Sequence, residues 1–302
     1  MKTFGYLAPI LLVTVRIASG ADYTFTPIQF PDATYTIPHG INDDGDVVGS
    51  YILKDFDPAK GFIFIGGVYQ DFSMPDTRMS LPWGINRKDR IVGTYVAEVC
   101  PCEQLAFLFD PKANTWTSID AQRADSINNR GHIVGYHSVG PINQQAYIYK
   151  NGVITSIVTA ADFPGLLGSA ATGINNKDWV VGYYFFDAGP CCVEVHGFLK
   201  KGKQVFTVDT SFADSIASFP LGINNAGDIV GEDTTSVGIT SWIYHRGEFS
   251  EIAVPGASST MVVSINNKGQ ILGWSFQDGK LVGFIGTPGK KKRAPEGLVS
   301  AR

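Results

Sequence analysis

The chain has 302 residues, of which 34 are Gly, 16 are Pro and only 17% are charged. With 44% hydrophobic residues it holds ample material for a buried core, which excludes an intrinsically disordered chain. A net charge of −4 gives no electrostatic reason to expect a nucleic-acid partner.

The N-terminus opens with Met1-Lys2, an apolar run from Tyr6 to Val15, and the small residues Ala18-Ser19-Gly20-Ala21. Such a pattern is that of a secretory signal peptide over residues 1–20, and the run is too short to span a bilayer. The expectation is an exported protein, secreted or periplasmic. No later segment reaches about 18 uninterrupted apolar residues, so no membrane attachment is expected.

From residue 22 onward one phrase recurs six times. It reads Gly40-Ile-Asn-Asp-Asp-Gly-Asp-Val-Val-Gly49 in the first copy and Gly222-Ile-Asn-Asn-Ala-Gly-Asp-Ile-Val-Gly231 in the fifth. The first Asn of each copy is Asn42, Asn86, Asn128, Asn175, Asn224 and Asn266. A period in the forties carrying short β runs is that of a four-stranded propeller blade.

Within one period the first strand ends in Gly/Ser-Ile-Asn, and a tight turn follows. The last turn position is Gly45, Asp89, Gly131, Asp178, Gly227 or Gly269, residue types that tolerate a left-handed backbone. A β-branched run ending in Val-Gly-x-Tyr, as in Val181-Gly182-Tyr183-Tyr184, makes the second strand. The third is small-aromatic-aliphatic, as in Gly61-Phe62-Ile63 and Ser241-Trp242-Ile243, and the fourth resembles Phe249 to Pro255.

The two ends of the chain complement each other. Phe25-Thr-Pro-Ile28-Gln-Phe-Pro31 matches Phe249-Ser-Glu-Ile252-Ala-Val-Pro255 position for position, yet precedes the first phrase, while the sixth repeat stops after its third strand. Pairing these ends removes two exposed sheet edges. The expected fold is all-β: a six-bladed β-propeller of four-stranded antiparallel blades over residues 22–288. The N-terminal strand would close it by joining the C-terminal blade.

The phrase Gly-Ile-Asn-Asn-x-Gly-x-Ile-Val-Gly, together with Leu105-Ala106-Phe107 and His196-Gly197-Phe198, resembles the HAF-family extracellular repeat. Departures are Asp89 and Asp178 for the turn glycine, and Ser126 and Ser264 for the first glycine. The resemblance covers nearly the whole mature chain. It implies an exported bacterial protein and supports the propeller, but it brings no reaction and no catalytic residues.

Chemistry is expected where the repeats differ. The six repeated Asn residues are read as turn-bonding structural groups, because one residue type at one position in every repeat suits architecture. Calcium at Asn42–Asp46 is not expected, since the carboxylate spacing of a calcium loop is missing. Just before each phrase stand His39, Trp83, Asp125, Thr172, Leu221 and Val263. Mixed aromatic and polar groups at a channel mouth suit a ligand, so His39, Trp83, Arg123 and Asp125 form the candidate site. Long loops from Ala97 to Gln104, Ser138 to Gln144 and Phe186 to Val195 should emerge on the same side.

Cys100, Cys102, Cys191 and Cys192 fall in two of these loops, and in an exported chain they are expected to form disulfides of unassigned pairing. No nucleophile motif, metal site or cofactor site is visible. Residues 289–302 carry Lys290-Lys-Lys-Arg293 and should form a disordered basic tail. These readings sum to an exported, non-catalytic binding protein whose partner is a glycan, small molecule or protein. An extracellular hydrolase or lyase and a structural matrix protein are the alternatives.

Overall fold

The computed structural model describes residues 13–14, 23–98, 104–138, 144–189, 193–210, 212 and 214–289. The four cysteines, the tail beyond 289, and all of 1–20 except Val13–Thr14 lie outside the described residues. So do the tips of the three long loops.

The fold is an all-β propeller of four-stranded antiparallel blades. In the first repeat Tyr35–Ile41, Val47–Ile52, Lys60–Ile65 and Val68–Phe72 form one meander, with each strand bonded to the next. The second and third repeats form the same four-stranded sheet.

Among the described residues, hydrogen-bonded sheets number five rather than the six expected, because the fourth and fifth repeats share one of eight strands. Its cause is local. The fourth strand of repeat four, Gln204–Thr207, covers only Phe198–Lys201 of its neighbour. The uncovered start of that neighbour takes a single parallel bridge, Val195 to Ala217, from the next repeat. In the remaining sheet Tyr23–Ile28 lies antiparallel to Lys280–Pro288, with Phe25 opposite Gly286 and Ile28 opposite Gly283.

The core sits between repeats rather than inside them. Val48 and Phe72 of the first repeat pack with Ile85, Ile91 and Phe107 of the second. Leu272 of the last repeat packs with Ile41, Val47 and Phe62 of the first. The third-strand aromatics Phe62, Phe107, Tyr147, Phe198 and Trp242 are all fully buried. Each such ring contributes about 1.5–3 kcal/mol relative to exposure.

The small residue before that aromatic has a partner across the interface. A Cβ on Gly61 would stand 2.8 Å from Pro82 Cδ, and one on Gly197 would stand 2.6 Å from Pro220 Cδ. A Cβ on Gly283 would likewise meet Pro38 Cδ at 2.9 Å. Where the next repeat offers Ala124 or Ala171 instead, the small residue is Ala106 or Ala146. Where it offers Val262, Ser241 accepts the Val262 N–H at 2.9 Å.

Hairpin arms run further than the sequence suggests. Phe186 pairs with Glu194 and Asp187 with Val193, so half of the expected Phe186–Val195 loop is strand. Ala97 and Gln104 are likewise strand residues.

Candidate functional site

The first strands of all six repeats line one central channel of about 650 Å³, counting the space at its open ends. Two tiers of side chains define it, a turn tier at one end and a tier on the loop side.

At the turn end, every repeated Asn but Asn224 makes two kinds of bond. Its Oδ1 accepts from its own turn, as Asn128 does from Arg130 N at 3.0 Å and His132 N at 3.1 Å. Its Nδ2 donates to the next repeat: Asn86 to Asn128 O at 2.9 Å, Asn128 to Asn175 O at 3.0 Å, and Asn175 to Asn224 O at 2.9 Å. Asn266 donates to Asn42 O at 2.9 Å across 224 residues of sequence. Asn224 turns instead to Asp228 Oδ2, and there Asn225 N bridges to Asn267 Oδ1 at 2.7 Å. The expected turn role is therefore half of what these residues do. The turns close with positive φ at Gly45, Asp89, Gly131, Asp178, Gly227 and Gly269. Little is left unsatisfied at this end.

The loop-side tier is built by a device the sequence reading missed. In every repeat the register between first and second strands slips at the residue just before the phrase, namely His39, Trp83, Asp125, Thr172, Leu221 and Val263, and three repeats carry a second slip nearer the loops. They are β-bulges, which re-aim a side chain out of the pleat. The last glycine of each phrase makes room behind the bulge. A Cβ on Gly182 would sit 2.0 Å from Ala170 O, and one on Gly135 the same distance from Arg123 O.

The four predicted residues are brought together. His39 stacks on Trp83 with ring centroids 4.0 Å apart, and the Arg123 guanidinium carbon lies 3.7 Å from the Trp83 centroid. Two groups that close to one ring would overlap on the same face, so the indole is sandwiched. Arg123 Nε in turn donates to Asp125 Oδ1 at 2.6 Å. The chain of contacts runs through three consecutive repeats.

Each group in it is engaged. His39 Nδ1 lies 2.8 Å from Pro82 O, and a carbonyl only accepts, so Nδ1 carries the proton. Nε2 is then left to accept from Ser50 Oγ at 3.4 Å. Burial lowers the His39 pKa to about 4, with Arg123 pushing the same way against the Pro82 bond, so the imidazole is neutral at pH 7. Burial acts to lower the Arg123 pKa, but the Asp125 carboxylate outweighs it and the guanidinium stays charged. Trp83 Nε1 donates to Thr94 Oγ1 at 3.0 Å.

The other half of the tier differs. Thr172 Oγ1 donates to Pro220 O at 2.6 Å, the counterpart of the His39 bond, while Leu221 and Val263 are apolar. On the second strand of the fifth repeat, opposite Phe219, lies Glu232, a half-buried carboxyl with one oxygen fully enclosed and, among the described residues, without a hydrogen-bond partner. Burial first and Asp233 second raise its pKa to about 7. Aligning the residue after each phrase, namely Ser50, Thr94, Tyr136, Tyr183, Glu232 and Trp274, would have singled it out. Among the described residues no three His, Cys, Asp or Glu side chains converge as a metal requires.

No family model matches the sequence, and no curated protein matches it. Several solved structures are similar in fold. The β-propeller domain of the Trilobed protease from Pyrococcus furiosus is 9% identical with a TM-score of 0.49, covering 91% of this chain and 100% of that one. YCF48 bound to D1 peptide is 12% identical with a TM-score of 0.47, covering 94% of this chain and 100% of that one. The sialidase of Trypanosoma rangeli is 8% identical with a TM-score of 0.47, covering 91% of this chain and 57% of that one.

Proposed function

We propose that the chain is an exported, non-catalytic binding protein of the HAF-repeat type, taking a small molecule, glycan or protein at the loop-side mouth. One observation carries the binding reading. Six bulges aim six side chains into one channel, yet three of them join Arg123 in a polar aromatic chain while Leu221 and Val263 on the other side are apolar. A purely architectural tier has no use for that asymmetry, whereas a ligand with two unlike sides does.

The same proposal holds the propeller to be six-bladed and closed by the N-terminal strand joining the C-terminal blade. Support comes from the pairing of Tyr23–Ile28 with Lys280–Pro288 and from the Asn266 to Asn42 bond. Export is supported by the leader-like residues 1–20 and by the repeat resemblance. The loop cysteines are taken as disulfide staples on that ground. Against catalysis stands the engagement of His39 on both nitrogens and of Asp125 by Arg123, which leaves neither as a free base.

The test is a glycan array and a pull-down from the extracellular fraction, run with the native protein and with Trp83→Ala. Capture that falls at least tenfold in the variant is expected. Capture unchanged in both Trp83→Ala and His39→Ala would overturn the mouth as the binding site. Turnover of an ester, lactone or glycoside that Asp125→Ala abolishes would overturn the non-catalytic reading.

A further inference from the structure

We propose that the apolar half of this mouth holds the ammonium group of its ligand against the Glu232 carboxylate; the inference rests on the mouth being a binding site and names the chemistry it takes. Glu232 follows the phrase glycine, the position that supports the bulge residue of its own repeat. Ser50 there meets His39 at 3.4 Å, and Thr94 meets Trp83 at 3.0 Å. In the fifth repeat the bulge residue is Leu221, which has no polar atom to offer. The carboxylate therefore stands where Ser50 and Thr94 find a partner, and one of its oxygens has none among the described residues.

Its other neighbours are committed. Ser241, opposite it on the third strand, already donates to Thr260 O and accepts from Val262 N. Asp233 accepts from Trp242 Nε1 at 2.9 Å and from Thr210 Oγ1. Arg123, the cation of this tier, is held by Asp125 and Trp83. An ionised carboxylate only accepts, so the missing partner is a donor, and a positively charged one compensates burial best.

The surroundings suit an alkylammonium ion rather than a bare metal. Phe219 lies opposite Glu232 on the first strand, and Tyr183 meets Phe219 edge to face at 5.2 Å. Aromatic faces attract an ammonium with little demand on geometry, and Leu221 and Val263 offer an apolar wall for its alkyl groups. A hydrated metal ion would need several more oxygen ligands than this site supplies.

The experiment is calorimetric titration at pH 8.5 with 3-methylbutan-1-amine, an ammonium ion at that pH, and with its neutral isostere 3-methylbutan-1-ol. On the native protein, the amine is expected to bind at least tenfold more tightly than the alcohol, and this comparison needs no variant. Glu232→Gln keeps the side-chain shape and is expected to abolish the preference. Equal affinity for the two compounds, or an unchanged preference in Glu232→Gln, would overturn the ammonium assignment. So would a partner whose capture depends on Trp83 but not on Glu232, and that result would leave the mouth itself as the binding site.

Discussion

The two ends of the central channel are made by residues only a few positions apart in each repeat, and they behave oppositely. At the turn end one residue type does one job six times over: asparagine bonds its own turn, and in all but one repeat it also bonds the next repeat. On the loop side the backbone device is equally uniform, a bulge in every repeat, but the side chain it presents is never the same twice. Regular backbone geometry thus delivers irregular chemistry. The contrast separates what holds the repeats together from what they present to a ligand.

The largest effect should come from removing the space behind a bulge. Gly182→Val forces a Cβ into Ala170 O, and we expect a loss of more than about 4 kcal/mol, read as absence of a cooperative unfolding transition. Retention of a native transition would show that the bulge is dispensable.

Next comes the turn tier. Asn128→Ala strands the Arg130 and His132 N–H groups and the Asn175 carbonyl, at about 1–3 kcal/mol for each buried group left unpaired. Urea unfolding should show a total of about 3–5 kcal/mol. A cost below about 1 kcal/mol would erase the distinction between the tiers.

Glu232→Gln should act in the other direction and only at one end of the pH scale. The folded carboxyl has a pKa of about 7 against about 4.3 for an unfolded Glu. Between those values the folded state holds more protons than the unfolded state, so stability falls as pH rises and the penalty is complete above about pH 7. The amide variant should therefore be more stable than the native protein by roughly 3 kcal/mol at pH 8.5 and equal to it near pH 4. A difference independent of pH would mean that the carboxyl does not titrate with folding.

Smallest of all, Val263→Thr on the loop side should change stability by under about 1 kcal/mol, since a half-buried bulge side chain tolerates substitution. A penalty as large as that of Asn128→Ala would make the loop-side tier structural too.

Most of the architecture is legible in the sequence because its determinants recur. Glycine or aspartate at the turn, the buried third-strand aromatic and the orphan strand at Phe25 each show up by comparing a repeat with its neighbours. The bulges are not legible, because a bulge is a relation between two strands and no residue type announces it. His39, Trp83, Arg123 and Asp125 could be picked out as outliers in a uniform frame. Their mutual contacts could not, since those depend on each bulge pointing towards the following repeat. Glu232 is legible as the one acidic residue in the position after the phrase, but that Leu221 offers it no polar partner shows only with both strands in place.

The matched pairs across the repeat interfaces carry a further consequence, for how such a protein can be rearranged. Gly61 accepts Pro82, Ala146 and Ala171 share one core, and Ser241 bonds the backbone of Val262. Each repeat is thus keyed to its successor and not to repeats in general. Placing the fifth repeat before the first would set the Ser241 side chain against the Pro38 ring, where Gly283 now leaves no room even for a Cβ. Units that look interchangeable on paper form a fixed order, and shuffling or duplicating one of them means recutting both of its joints.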